Sequence, residues 1–333
     1  MDKKAISVLL IGLVLVWVHL VEAQQQAKIP TIGFLTAGTG SSDRVELFRQ
    51  ELLKLGYVER KNIAFESRNA NNKSDRLPVL ADELVRLKVD VIITPGSNDT
   101  RAAKNATKTI PIVFLGAVSD PVSLGLVESL ARPGGNITGI TTIGSVIAGK
   151  RLELLKETIP KLTRVALLWN PENEGSAQVF KESQLPAKEL GLQLHSMAVS
   201  SADKFENGFR EAVKTRTGAL AMTGGALIAN NQKQIINLAA KNRLPAIYNR
   251  AADVANGGLM FYGPDEVEQF QRAAVIVDKI LKGTKPANIP VEQPTKFELI
   301  INLKTAKVLG LTIPPVVMMR AEKVIKESAG INR

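Results

Sequence analysis

The sequence contains no cysteine. That excludes disulfides, thiolate zinc sites, iron–sulfur clusters and a cysteine nucleophile together. Histidine is almost as scarce, with two in 333 residues. His19 falls in a segment that reads as a leader, which leaves His195 alone in an apolar stretch with Leu194 and Met197. A single histidine builds neither a His-metal site nor a histidine-based triad. No catalytic residue, metal ligand or cofactor is therefore assigned, and an enzyme is not expected. The glycines at 38 and 40 lack the third member of a dinucleotide fingerprint, and no Walker lysine follows them. Lysine and arginine outnumber the acids for a net charge of +11. The basic residues are scattered, however, with no run of five or six and no interleaved aromatic platform. They read as a solvated surface, and nucleic acid is not expected as a partner.

The N-terminus carries a positive region at Lys3 and Lys4 and an apolar run over residues 6–21. Val21-Glu22-Ala23 closes the run as a small-x-small cleavage site. Residues 1–23 are therefore predicted to be a signal peptide, cleaved after Ala23. The apolar run is shorter than the roughly 20 residues a helical span requires. No cysteine follows it, so a lipid anchor is excluded, and no later stretch is apolar enough to cross a membrane. The mature chain is expected to be exported.

From Ile29 onward, short apolar runs alternate with helical periods. Strands are predicted at 31–36, 62–66, 90–94 and 112–115, with helices at 43–55, 74–87 and 99–107 between them. The pattern then restarts. Strands are predicted at 164–169, 192–199, 219–222 and 246–248, with helices at 176–190, 202–215 and 228–242. Alternation of this kind builds right-handed βαβ units and parallel sheets. The spacing from Ile32 to Gly56 resembles that from Val165 to Gly191, and Gly134-Gly135 mirrors Gly257-Gly258. The reading is α/β: two similar Rossmann-like lobes with parallel sheets, joined by a multi-strand hinge. The first lobe is assigned residues 24–140 plus 265–290, and the second 141–264 plus 291–333. Crossings are expected at 138–144, 261–264 and 291–295.

Ligands of open parallel sheets sit beyond the carboxyl ends of the strands. The strand-end loops therefore carry the candidate site. Thr36 opens a loop of small hydroxyl residues leading into a helix N-terminus, where exposed amides suit a carboxylate. Ser97 and Asn98 follow Gly96, which lets a ligand approach the backbone closely. Ser119 and Asp120 end another strand, and Asp120 is placed either to pair with a ligand ammonium or, before Pro121, to start a turn. On the second lobe Asn170, Asn173 and Gly224 occupy equivalent loops. Arg250 is placed to meet a carboxylate, with a solvated surface arginine as the alternative. Trp169 is read as packing at a strand end, with stacking on a ligand as the alternative.

Several segments carry a family resemblance. They include residues 51–59 (ELLKLGYVE), 81–85 (ADELV), 109–113 (TIPIV) and 130–139 (LARPGGNITG). Residues 150–156 (KRLELLK), 169–171 (WNP), 244–248 (LPAIY) and 257–260 (GGLM) complete the set. Together, over about residues 29–325, the chain resembles the ABC-transporter substrate-binding proteins of the tryptophan/tyrosine type, which have the type I periplasmic-binding fold. The resemblance implies a monomeric periplasmic receptor. It would close on a small molecule, an amino acid or related carboxylate, and deliver it to an ABC permease in the inner membrane. A sensor that reports ligand to a membrane receptor is the alternative. The resemblance supplies no catalytic residue.

Overall fold

Val91–Thr94 and Ile112–Leu115 are apolar at nearly every position and buried throughout. Such strands require cover on both faces, as in a parallel sheet sandwiched by helices. The structure, a computed structural model, describes residues 29–39, 43–116 and 118–326. The leader expected at 1–23 and its cleavage after Ala23 lie outside the described residues.

The first lobe runs β1 (Thr31–Thr36), α1 (Asp43–Lys54), β2 (Ala64–Asn69), α2 (Leu77–Arg86), β3 (Val91–Thr94), α3 (Ser97–Ala106), β4 (Ile112–Leu115) and β5 (Ile137–Ile140). Its five strands are all parallel in the order β2-β1-β3-β4-β5. Alternation along β1 sends Ile32 and Phe34 into one core and Leu35 into the core on the opposite face.

The second lobe begins with α4 (Gly144–Thr158), β6 (Arg164–Trp169), α5 (Glu174–Glu189), β7 (Gln193–Ala198), α6 (Phe205–Lys214) and β8 (Ala219–Met222). It continues with α7 (Ala226–Asn230), α8 (Gln232–Lys241), β9 (Ala246–Tyr248), α9 (Ala251–Ala255) and β10 (Met260–Pro264). After α10 (Glu266–Leu281) come β11 (Phe297–Asn302), α11 (Leu303–Val308), α12 (Pro315–Met318) and β12 (Lys323–Ile325). The seven strands order as β7-β6-β8-β9-β10-β11-β12. The first five repeat the order of the other lobe, as the internal repeat anticipated. The sheet is not wholly parallel, because β10 and β11 pair antiparallel, Met260 opposite Ile301 and Pro264 opposite Phe297. Between β10 and β11 the chain leaves for the other lobe through α10 and comes back, so no crossover helix packs over this pair to set it parallel.

The long helix α10 packs on α1 and on β3, β4 and β5, over the sheet of the first lobe. Phe270, Ile276 and Val277 complete the core beneath Phe34, Phe48 and Ile93. Each fully buried apolar side chain of this kind contributes about 1.5–3 kcal/mol. The Tyr57 hydroxyl donates to Asp278 at 2.9 Å on the rim. Burial, and then that carboxylate, push the phenol up to about 12.

The chain passes between the lobes three times: between β5 and α4, between β10 and α10, and over residues 292–296. The first and third passages are laced together. Thr141 donates its backbone N–H to the Glu292 carbonyl, and Glu292 donates to Gly139, both at 2.9 Å. Arg272 of α10 holds the Glu292 carboxylate. Asp265 joins the remaining strands, donating its backbone N–H to the Lys296 carbonyl at 3.0 Å.

Candidate functional site

Between the lobes lies a cavity of about 550 Å³. The carboxyl ends of β1, β2, β3 and β4 form one wall, and the loops after β6, β8 and β9 form the other. That volume is ordinary for a small-molecule site. Among the described residues, no cluster of His, Asp and Glu that could hold a metal ion is present.

Four of the sequence-derived candidates line this cavity: Thr36, Ser119, Asn173 and Gly224. The Thr36 hydroxyl accepts the Gly38 N–H at 3.0 Å. Asn173 is the N-cap of α5, its carboxamide oxygen accepting from Ser176 N–H at 2.8 Å. The other four lie off the lining. Asn170 accepts the Glu172 N–H at 2.9 Å. Asp120 caps its own turn, accepting from the Val122 and Ser123 N–H groups at 3.0 and 3.1 Å. Ser97, at the start of α3, is buried and its hydroxyl has no hydrogen-bond partner.

Asn98 reaches across to the other lobe. Its carboxamide donates to the Glu172 carbonyl at 2.9 Å and accepts the Glu174 N–H at 3.1 Å. The first residue of α5, whose N–H has no partner within its own helix, is thus capped from the opposite lobe. Arg101, one turn further along α3, pairs with Glu174 at 3.0 Å. Asn230 donates to Asn72 at 2.6 Å, again between lobes. Ala226 of α7 packs against the core of the first lobe. These contacts join the lobes around the cavity.

Most of the charged lining comes from helical positions that strand-end reasoning does not reach. Asp99 is the third residue of α3, and its carboxylate accepts the Ala37 N–H at 2.8 Å, tying the β1 loop to the helix. Burial pushes the Asp99 carboxyl up to about 7, against the pull of the Ala37 and Gly96 N–H groups. Arg151, in the middle of α4, is buried and donates to the Tyr262 carbonyl at 2.7 Å. Burial brings its guanidinium down to about 10. Behind the lining, Asp253 is fully buried. Burial pushes its carboxyl up to about 7, with Arg250 pulling it down and Glu266 pushing it up. Glu266 and Gln269 of α10 and Arg250 after β9 line the cavity together. Of these only Arg250 was visible as a loop residue; Arg151, Glu266 and Gln269 sit on helices, where sequence alone does not say which face meets a ligand.

Trp169 is not part of the cavity. It stacks on Phe180 with centroids 4.4 Å apart and rings 4° from parallel, and its indole N–H donates to Ser196 at 2.8 Å. The apolar lining instead contains Phe34, Phe261 and Phe270. The charges and apolar surface on both walls suit a small amphipathic molecule gripped from two sides.

A family model described as ABC transporter substrate binding protein matches residues 20–325. A tyrosine-binding protein of Clostridioides difficile (strain R20291) is 29% identical over 264 residues, covering 79% of this chain and 75% of that protein. The ABC domain of Streptococcus pneumonia in complex with L-Trp aligns with a TM-score of 0.80 at 23% identity, covering 89% of this chain and 99% of the other. The ligand-free, open structure of a substrate-binding protein with adhesive properties from Clostridium difficile aligns with a TM-score of 0.62 at 24% identity, covering 90% and 100%.

Proposed function

The chain belongs to the ABC transporter substrate-binding protein family, and from that premise we propose that it is the periplasmic receptor of an ABC uptake system for an aromatic L-amino acid. The observation that carries the reading is the interlobe cavity. It offers ionic groups, Arg250 after β9 and Glu266 at the start of α10, beside the rings of Phe34, Phe261 and Phe270. The ligands named for the tyrosine-binding relative and the L-Trp complex support the aromatic choice.

Closure is the proposed mechanism. Ligand held by one lobe recruits the other, and its binding energy shifts an open–closed equilibrium. The contacts that Asn98, Arg101 and Asn230 make between the lobes support reading the present arrangement as the closed one. Asn98, Arg101 and Asn230 would then be contacts made on closing. The closed form would present a surface drawn from both lobes to the permease, and the leader at 1–23 would direct the chain to the periplasm.

The test is a melting-temperature and calorimetric screen against the twenty L-amino acids, small carboxylates, purines and sugars. A ligand that binds only the folded state raises the melting temperature by mass action. Saturable binding of L-tyrosine or L-tryptophan, with other classes inert, supports the reading. Tight binding of a sugar or purine alone overturns the amino-acid assignment.

A further inference from the structure

Arg250, after β9, and Glu266, the first residue of α10 beside the β10 crossing, line the cavity and stop 4.0 Å apart, Nε to Oε1. A charge-assisted N–H···O bond measures about 2.7–2.9 Å, so this pair is held short of one. The Arg250 Nε makes no hydrogen bond, although its side chain is only 16% exposed. Gln269 stands one turn beyond Glu266, on the same face of α10. It is 6% exposed, lines the cavity, and its Nε2 has no partner. A buried donor without a partner is costly and uncommon. The other guanidinium of the lining is already engaged, since Arg151 donates to the carbonyls of Tyr262 and Met222.

We infer that Arg250, Gln269 and Glu266 form the subsite for the head of an α-amino acid. The Arg250 guanidinium and the Gln269 carboxamide N–H group donate to the ligand carboxylate, and the Glu266 carboxylate accepts from the ligand ammonium. This rests on the reading of the protein as an amino-acid receptor and adds which residues read the head group. One cation and one anion give the subsite no net charge, matching a zwitterion. An amine alone leaves the Arg250 and Gln269 donors without a carboxylate, and a carboxylic acid alone brings no cation to Glu266. The apolar lining, including Phe34, Ile93 and Phe261, is left for the ligand side chain. Because Arg250 follows β9 while Glu266 and Gln269 ride on the helix packed over the first sheet, the head group itself links the two elements.

The experiment is isothermal titration of the full protein with L-tyrosine, L-tryptophan, tyramine, which lacks the carboxylate, and 3-(4-hydroxyphenyl)propionate, which lacks the ammonium. Loss of a hydrogen bond to a charged group corresponds to about 10- to 100-fold in affinity. Arg250→Gln and Gln269→Leu should each lose that much for the amino acid while binding tyramine within about threefold of wild type. Glu266→Gln should lose it for the amino acid and not for the propionate. Arg250 neighbours the buried Asp253, so if its variant does not fold, Gln269→Leu decides the matter. Variants that keep wild-type affinity for the amino acid, or lose tyramine equally, overturn the subsite and leave the receptor function standing. Failure of the wild type to bind any amino acid overturns both.

Discussion

Ser97 and Gly175 meet across the cleft so closely that a Cβ on Gly175 would lie 2.5 Å from the Ser97 hydroxyl oxygen. With the Ser97 hydroxyl in this rotamer, only glycine at the start of α5 allows the lobes this approach. Gly175→Ala should therefore wedge them apart. A steric insertion of this size costs about 1–3 kcal/mol, or about five- to 150-fold in affinity if it acts on the closed form. The ligand-free melting temperature should change little, and small-angle scattering should show a larger radius in the presence of ligand. Ser97→Ala removes the clashing oxygen, leaving a Cβ-to-Cβ distance of 3.4 Å, so the double variant should recover binding. Failure of that rescue would place the effect elsewhere.

Asn98 and Arg101 both bridge the lobes, but they should not weigh equally. Asn98 makes two hydrogen bonds to backbone groups at the head of α5. Asn98→Ala should weaken ligand binding by about two- to twelvefold, from a net 0.5–1.5 kcal/mol. Arg101 and Glu174 are 31% and 44% exposed, and such a pair is worth at most about 1 kcal/mol. Arg101→Gln should fall within about fivefold of wild type, and its effect should fade with salt. Titration of both variants at two ionic strengths checks the ranking.

Asp99 gives the protein a directional pH response. Its folded-state value is about 7 because of burial, against about 3.9 for an unfolded aspartate. Between these values the native state binds more protons than the unfolded one, so rising pH removes stability. The contribution is complete below about pH 4 and gone above about pH 7. Asp99→Asn stays neutral and can still accept the Ala37 N–H. Its melting temperature relative to wild type should rise from about pH 4.5 to about pH 7.5. A difference that stays flat across that range would show that Asp99 is ionised throughout.

Trp169 should be a poor reporter of ligand. Its ring is stacked on Phe180 and its N–H is committed to Ser196, away from the cavity. Its emission should change little on titration with a ligand that raises the melting temperature. Phe180→Leu should shift that emission while leaving affinity intact. A large ligand-dependent change in wild-type emission would contradict this placement.

The strands were legible because burial on both faces writes a plain signal: Val91–Thr94 and Ile112–Leu115 have no polar face to confuse the period. The antiparallel entry of β11 was not legible, since direction depends on where the chain returns and not on local pattern. The loops were harder. Asn170, Asn173 and Asp120 all cap turns or helices, yet only Asn173 also lines the cavity. Residue type cannot separate those outcomes, because the same carboxamide or carboxylate serves a backbone N–H or a ligand. Gln269 and Arg151 were missed for a different reason. Each lies on a helix among residues that cover the core, and only tertiary packing turns one of its positions toward the cavity.

The hydrogen bond from Tyr57 to Asp278 joins residues 221 positions apart. Until α10 arrives, the sheet face carrying Phe34, Ile93 and Val113 has no helix over half its width. The lobe whose strands come first is thus among the last parts to be finished, and its assembly waits on nearly the whole chain. A nascent or threaded polypeptide of this design stays open and apolar on one side through most of its emergence, and depends on being kept from association during that time. A stop after Pro264 would accordingly unroof the early lobe rather than merely shorten the late one.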